Sequence, residues 1–153
     1  MSEHEQHLTP ALEAAAQRRR EVREALLAVE AAMACPAAEP DQWRARVRTA
    51  LADLDEAFEH HVFETEHPGG LYDEMERVAS HLSGKAQRLR VEHPLIRASI
   101  AAERARLEVA LPAEAIDPVR DDLQRLLGRI VRHRQHGADL IWEAYAVDIG
   151  SAG

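Results

Sequence analysis

Cysteine is almost absent from this chain of 153 residues, in which Cys35 is the single example. One cysteine excludes an intramolecular disulfide and a thiolate metal cluster built from one chain. Aromatic residues make up only 4% of the sequence. The N-terminus lacks the apolar core of a secretory signal, and no apolar run approaches the roughly 20 residues that span a bilayer. We therefore expect one cytoplasmic domain, residues 1–153, that does not associate with a membrane.

The net charge and the residue composition indicate which kind of partner and which fold class to expect. Acidic residues outnumber Lys and Arg by 27 to 19, which gives a formal net charge of −8 and argues against a nucleic-acid-binding protein. Ala, Leu, Glu and Arg dominate the composition. β-branched residues are scattered and do not alternate with polar ones, so no strand is expected. The composition predicts an all-α fold.

Capping and proline signals mark the first two helices. Thr9-Pro10 is a favourable helix start, because the threonine hydroxyl can accept from a free backbone amide and proline at the first position loses no hydrogen bond. Apolar residues from Leu8 onward recur at helical spacing and predict a helix over residues 10–34. A second helix opens at Pro40 and ends at the turn formed by residues 67–70.

The remaining chain predicts a short helix over 71–78 and two further long ones. The first of these begins near Ser83 and ends at Pro112, with a kink or a break at Pro94. The last begins at Asp117-Pro118 and ends near Gly150. Four long amphipathic segments with short connections predict an antiparallel up-down four-helix bundle.

Three histidines, each from a different long helix, fall on or beside the apolar stripe of that helix. With about 100° of turn per residue, His61 lies within about 40° of its stripe centre, whereas His60 lies roughly 140° away. His93 falls among apolar positions, and His133 falls at the edge of its stripe. The other histidines are expected at the surface: His4, His7, His60, His67, His81 and His136.

A single histidine near an apolar face is more often a partly buried side chain bonded to a carbonyl or carboxylate. Three on three helices favour a shared partner, because imidazoles without partners are costly to bury. That partner is a metal ion, a carboxylate or a water molecule. Three imidazoles can hold one ion such as Zn²⁺, Fe²⁺ or Ni²⁺, with a carboxylate or water completing the shell.

Three segments, in this order along the chain, resemble hemerythrin-like (HHE cation-binding) domains. FEHHVFETEHPGG, residues 58–70, looks like their H-x-x-x-E helix end. LRVEHPL, residues 89–95, is similar to their third helix, and residues 133–150 are similar to the closing helix of bacterial members. The resemblance implies a four-helix bundle with a non-haem di-iron site, and a role in dioxygen binding, oxygen or redox sensing, or iron storage. We expect such a protein not to be an enzyme.

The ligand set departs from the one that the resemblance implies. Thr65 stands four residues after His61, where a carboxylate is expected, and Glu64 has the right spacing only from His60, which faces outward. In the first helix, Arg18 or Arg19 replaces a histidine. About six protein ligands hold two irons, so three imidazoles cannot. The sequence predicts a metal site at His61, His93, His133 and Glu64, with iron as the implied ion.

Two alternatives stay open at this stage. The metal site could be vacant, with Arg19 supplying positive charge inside the bundle and Glu103 as its partner, although Glu103 is more simply read as a residue that reaches solvent. The chain could instead be a metal-free interaction module or homodimer that uses exposed Trp142 and Tyr145. The sequence leaves the oligomeric state undetermined.

Overall fold

The computed structural model describes residues 9–151, which are all-α: four long helices and one short helix, with no strand in this range. Leu8, His4 and His7 lie outside the described residues. None of the helices within residues 9–151 combines the length and apolarity needed to cross a membrane. The helices are α1 (Pro10–Ala34), α2 (Pro40–Glu66), α3 (Leu71–Val78), α4 (Ser83–Arg106) and α5 (Ile116–Ser151), with 3₁₀ turns at Ser80–Leu82 and Ala113–Ala115.

The start of α1 is capped by Thr9, as its sequence predicts. The Thr9 hydroxyl accepts a hydrogen bond from the Leu12 backbone N–H at 3.1 Å and donates one to Glu74 Oε2 at 2.7 Å. One side chain therefore satisfies a free amide of α1 and ties that helix end to α3. The Tyr145 hydroxyl of α5 donates to the same Glu74 oxygen at 2.5 Å, so three helices meet at this point.

Replacing this cap gives a first testable prediction. We expect Thr9→Ala to lower the free energy of unfolding by about 1 kcal/mol, because a buried amide loses its acceptor. Urea unfolding followed by circular dichroism measures the change. Thr49→Ala is the matched control, since the exposed Thr49 hydroxyl donates only to the Ala45 carbonyl of its own helix. An equal loss in both variants would contradict the capping role.

The turn between α2 and α3 depends on two glycines. Gly69 has a φ of 80°, a left-handed conformation that side chains other than glycine rarely adopt. A Cβ atom on Gly70 would lie 2.8 Å from the Glu64 carbonyl oxygen, so the chain passes too close for any side chain. This tight turn ends α2 and folds α3 back so that its buried residues, Leu71, Tyr72 and Met75, pack in the interior.

The break expected at Pro94 does not occur, and the end expected at Pro112 is wrong. α4 runs without a break through Pro94, whose ring lies on the exposed side of the helix. α4 then ends at Arg106, ahead of Pro112, and the Leu107 N–H closes it by bonding to the Glu103 and Arg104 carbonyls. α5 begins at Ile116, because the 3₁₀ turn Ala113–Ala115 leads directly into it, and Asp117 lies in its first turn.

The core consists of two groups of apolar side chains, and on α4 and α5 the inward histidine lies between them along the helix. On α4, His93 follows Leu89 of one group and precedes Ile96 of the other. On α5, His133 stands between Ile130 and Leu140 in the same way. The larger group is centred on Trp43, Val47, Leu51, Leu54, Phe58, Ile100 and Leu123, and the smaller on Leu12, Leu71, Tyr72, Met75, Leu82 and Leu140.

Candidate metal centre

The structure brings His61, His93 and His133 together in the interior. α2, α4 and α5 contribute one each, and the exposed fractions of the three residues are 7%, 1% and 3%. His133, which the sequence placed at the edge of its stripe, is as deeply buried as the other two. On α4 and α5, buried apolar residues stand before and after the histidine, and on α2 the buried Phe58 precedes His61, so packing holds the helix turns that carry the rings.

The Nε2 atoms of the three rings face one another. The Nε2 atoms of His93 and His133 are 3.1 Å apart, and those of His61 and His133 are 3.3 Å apart. One ring nitrogen from each histidine lies within 4.8 Å of the other two. An ion bound tetrahedrally at imidazole–metal distances of 2.0 to 2.1 Å would hold its nitrogens about 3.3 to 3.4 Å apart. The His61–His133 pair has this spacing, the His93–His133 pair is slightly closer, and the third pair lies within 4.8 Å.

Two glutamates fix which nitrogen of two rings carries the proton. His93 Nδ1 lies 2.8 Å from Glu66 Oε2, and His133 Nδ1 lies 2.5 Å from Glu92 Oε2. A carboxylate only accepts, so each Nδ1–H must donate to it. In a neutral ring this leaves Nε2 with a lone pair and no hydrogen. Carboxylates that orient imidazoles in this way are a common second layer of metal sites.

These hydrogen bonds leave the His93 and His133 lone pairs pointing at each other across 3.1 Å. If His61 Nε2 carried a proton, it could donate to His133 Nε2 at 3.3 Å. The shorter contact, between His93 Nε2 and His133 Nε2, would still join two acceptors. The Tyr72 hydroxyl, 3.4 Å from His93 Nε2, can donate only a long hydrogen bond to that nitrogen and leaves the 3.1 Å contact between the two acceptors in place. A cation bound by all three Nε2 atoms satisfies every one of them, so the donor set fits a metal ion.

Burial keeps these imidazoles neutral. Loss of contact with water lowers the pKa of His93 to about 3, with neighbouring His133 as the next cause. Burial likewise lowers the pKa of His61 well below its ordinary value, followed by the effects of His93 and His133. For His133, burial lowers the pKa more than Glu92 raises it. The contacts to Glu66 and Glu92 are therefore hydrogen bonds from neutral rings, and neutral imidazole is the form that binds metals.

Two aromatic side chains enclose the cluster. The Phe58 ring centroid is 5.5 Å from that of His61, 5.7 Å from His93 and 5.9 Å from His133. Tyr72 stacks on His93 at 5.9 Å, and burial raises its pKa, so its phenol stays protonated. These rings exclude water from two sides and limit rotation of the imidazoles.

A small cavity of about 20 Å³ adjoins the cluster. His61 and His133 form part of its wall, with Tyr72 and two arginines, Arg19 of α1 and Arg134 of α5. The other lining residues are small or apolar except Thr65, whose hydroxyl donates to carbonyls of its own helix. Sequence reasoning did not connect Arg134, Tyr72, Glu66 or Glu92 with the site, because their contacts arise only when four helices pack together.

Glu64 does not join the three histidines. Its carboxylate accepts from Arg18 Nε at 3.4 Å, at a half-buried position on the outer side of α2. Thr65, which stands where a carboxylate was expected, is buried and bonds to the His61 carbonyl at 2.9 Å. His60, His81 and His136 lie at the surface or near it, as predicted, and the His67 ring bonds to the Phe63 carbonyl.

Two other expectations about side chains are corrected. Glu103 does not pair with Arg19: it is half-buried and its nearest charged partner is Arg106, at 3.9 Å. Tyr145 is not an exposed aromatic, since it is half-buried and bonded to Glu74. Trp142 is 72% exposed, as expected.

No family model matches the chain, and comparison with curated proteins and with solved structures gave no significant match either.

Proposed function

We propose that this protein binds a single divalent transition-metal ion through the Nε2 atoms of His61, His93 and His133. The observation that carries the proposal is the convergence of three buried, neutral imidazoles, two of which, His93 and His133, otherwise direct their Nε2 lone pairs at each other. Three imidazoles suit Zn²⁺, Fe²⁺ or Ni²⁺. Bridging carboxylates, which two irons would need, are missing from the group, so the proposal is for one ion.

The surrounding residues have separable tasks in this proposal. Glu66 and Glu92 hold the Nδ1–H tautomer and make the rings more basic toward the ion. Phe58 and Tyr72 keep the rings aligned and exclude bulk water. A bound ion with three protein ligands would supply an electrophilic or redox-active centre that keeps an open coordination position.

We infer the biological role from the resemblance to hemerythrin-like domains. Iron held in this way would serve oxygen or redox sensing, or storage, in a binding protein that is not an enzyme. The buried, enclosed position of the histidines favours binding of an ion over turnover of a large substrate.

Metal analysis of protein purified without an affinity tag tests the proposal. The protein is expressed in medium supplemented with iron and zinc, purified without chelator, and compared with a sample stripped and then reloaded with each metal in turn. We expect one ion per chain. No retained or reloaded metal would overturn the proposal, and two ions per chain would restore the di-iron interpretation.

Glu92 lies behind the proposed ligand His133 and accepts a hydrogen bond from its Nδ1, which gives a further testable prediction. We expect Glu92→Gln to weaken metal binding by roughly 10- to 100-fold, because the amide oxygen still accepts from Nδ1–H but no longer carries charge. Competition against a chromophoric chelator measures the affinity. Glu143→Gln is the control, since Glu143 pairs with Lys85 at the surface. Equal affinities for wild type and Glu92→Gln would remove Glu92 from the site.

A metal-free interaction module is the second candidate function. Trp142 favours it, because an indole that is 72% exposed is unusual unless a partner covers it. Sedimentation of the wild type and of Trp142→Ala at several concentrations tests for a homodimer. A monomer in both cases would contradict self-association.

A further inference from the structure

Tyr72 places an oxygen atom against the three histidines. Its Oη lies 3.4 Å from Nε2 of His93, on the side from which that nitrogen can accept a hydrogen bond. Tyr72 also borders one small cavity together with His61 and His133, so it adjoins those two rings as well. Among residues 9–151, no other side-chain oxygen makes hydrogen-bond contact with any of the three Nε2 atoms.

The separation of these two atoms suits two ligands of one ion. Imidazole nitrogens bind zinc at about 2.0 to 2.1 Å and oxygen ligands at about 2.0 to 2.2 Å. In a tetrahedral shell, a nitrogen and an oxygen at these distances are about 3.3 to 3.5 Å apart. The 3.4 Å between Tyr72 Oη and His93 Nε2 falls within this interval, but it is long for a hydrogen bond between them. The geometry therefore favours a common ion over a direct hydrogen bond.

The other oxygen atoms near the site are engaged elsewhere. Glu66 and Glu92 lie behind the rings, because each accepts from an Nδ1 atom, on the opposite edge of the imidazole from Nε2. Glu64 faces the outer side of α2. The Thr65 hydroxyl donates to carbonyls of its own helix. Tyr72 is therefore the side chain best placed to supply the oxygen ligand that three imidazoles leave open.

The fold holds the Tyr72 ring in a fixed orientation. The turn at Gly69 and Gly70 leads into α3, whose second residue, Tyr72, is only 3% exposed. The guanidinium carbon of Arg90 lies 5.2 Å from the centroid of the Tyr72 ring, and the His93 ring stacks on Tyr72. These contacts limit the motion that binding an ion would have to arrest. The charge of Arg90 over the ring also favours a negative phenol oxygen.

We propose that Tyr72 is the fourth protein ligand of the bound ion, coordinated through Oη as a phenolate when the ion is Fe³⁺. The proposal rests on the proposed function, since it needs an ion held by the three imidazoles, and it extends that function by assigning iron and its oxidised state. Phenolate is a hard oxygen donor that suits ferric iron. On coordination the O–H bond breaks, its electron pair stays on oxygen and binds Fe³⁺, and the proton passes to solvent.

Visible absorption of the iron-loaded protein tests the proposal. Full-length untagged protein is loaded with Fe²⁺ in the absence of oxygen, oxidised with ferricyanide and separated from excess reagent. One electron passes from each Fe²⁺ to one ferricyanide, which becomes ferrocyanide. We expect a visible charge-transfer band from phenolate to Fe³⁺, and dithionite should bleach it by reducing the iron. Resonance Raman excitation within the band should enhance the ring vibrations of a coordinated tyrosinate.

The two tyrosines of the chain supply a test variant and its matched control. Tyr72→Phe should keep one iron per chain, because the three imidazoles remain, and its visible band should fall to the baseline. Tyr145→Phe should keep the full band, since the Tyr145 hydroxyl bonds to Glu74 and not to a histidine. Metal content and thermal unfolding are measured for both variants, and zinc uptake is measured in parallel with iron uptake.

The outcomes separate this proposal from the proposed function. One iron per chain without a charge-transfer band, or a band that Tyr72→Phe retains, overturns Tyr72 as a ligand and leaves the proposed function intact. Uptake of zinc but not of iron does the same. Uptake of neither metal overturns both proposals. If Tyr72→Phe fails to fold or to hold iron, the Raman spectrum of Tyr145→Phe decides: tyrosinate vibrations support Tyr72 as the ligand, and their absence overturns it.

Discussion

His133→Ala is expected to weaken metal binding by on the order of 10²- to 10³-fold and to leave the purified protein without stoichiometric metal. His133 Nε2 lies 3.1 Å from His93 Nε2 and 3.3 Å from His61 Nε2. Removing the His133 ring therefore deletes the nitrogen that stands next to both of the other ligands. The binding free energy of a complete structural zinc site is about 10 to 16 kcal/mol, and the expected loss corresponds to roughly one of its four ligands. Metal analysis and chelator competition measure the loss.

His81→Ala is the matched control for this variant. His81 is exposed in the 3₁₀ turn Ser80–Leu82, away from the three rings and from Glu66 and Glu92, and its removal should leave the affinity unchanged. Thermal unfolding of both variants in chelator establishes that each is folded before metal is added. A folded His133→Ala protein that binds metal as tightly as wild type would contradict the three-histidine site.

The metal-free protein should lose stability as the pH falls below about 6.5. The buried histidines have a pKa below their unfolded value, so the unfolded chain binds more protons, and stability is full above pH 6.5 and lost on acidification. The pKa of about 3 for His93 extends this loss down to pH 3. At pH 5, His93 alone accounts for about 2 kcal/mol. Urea unfolding at pH 7.5 and 5.0 in chelator measures it.

A substitution isolates the contribution of His93 to this pH dependence. His93→Asn keeps a donor for Glu66 but cannot titrate, so the difference in unfolding free energy between the two pH values should shrink by about 2 kcal/mol. His81→Asn, at an exposed position away from the three rings, is the control for an asparagine substitution as such. A pH dependence that His93→Asn does not change would mean that His93 is protonated, or exposed, in the folded protein.

The sequence predicted the helices because the signals for them are local. Caps, prolines and glycine turns act within a few residues, so α1 and α2 have the expected bounds. The break at Pro94 was not borne out because core packing on either side of it, through Leu89 and Ile96, outweighs one lost backbone hydrogen bond, and the ring itself lies on the exposed side of α4. The end of α4 was also missed, since the carbonyls of Glu103 and Arg104 close the helix well before Pro112.

The site was only partly predictable for a related reason. Helical periodicity identified His61, His93 and His133 as inward-facing, because that depends on each helix alone. The partners of their rings depend on how helices pack: Glu66 reaches α4 from α2, and Glu92 reaches α5 from α4. Glu64 was proposed from its spacing to His60, yet its contact with Arg18 of α1 shows only in the assembled bundle.

X-ray absorption spectroscopy of the metal-loaded protein tests the central claim most directly. The account predicts one ion surrounded by about three imidazole nitrogens at 2.0 to 2.1 Å, with one oxygen ligand completing the shell. A shell composed mainly of carboxylate oxygens, or a second metal at roughly 3.5 to 4 Å, would contradict it.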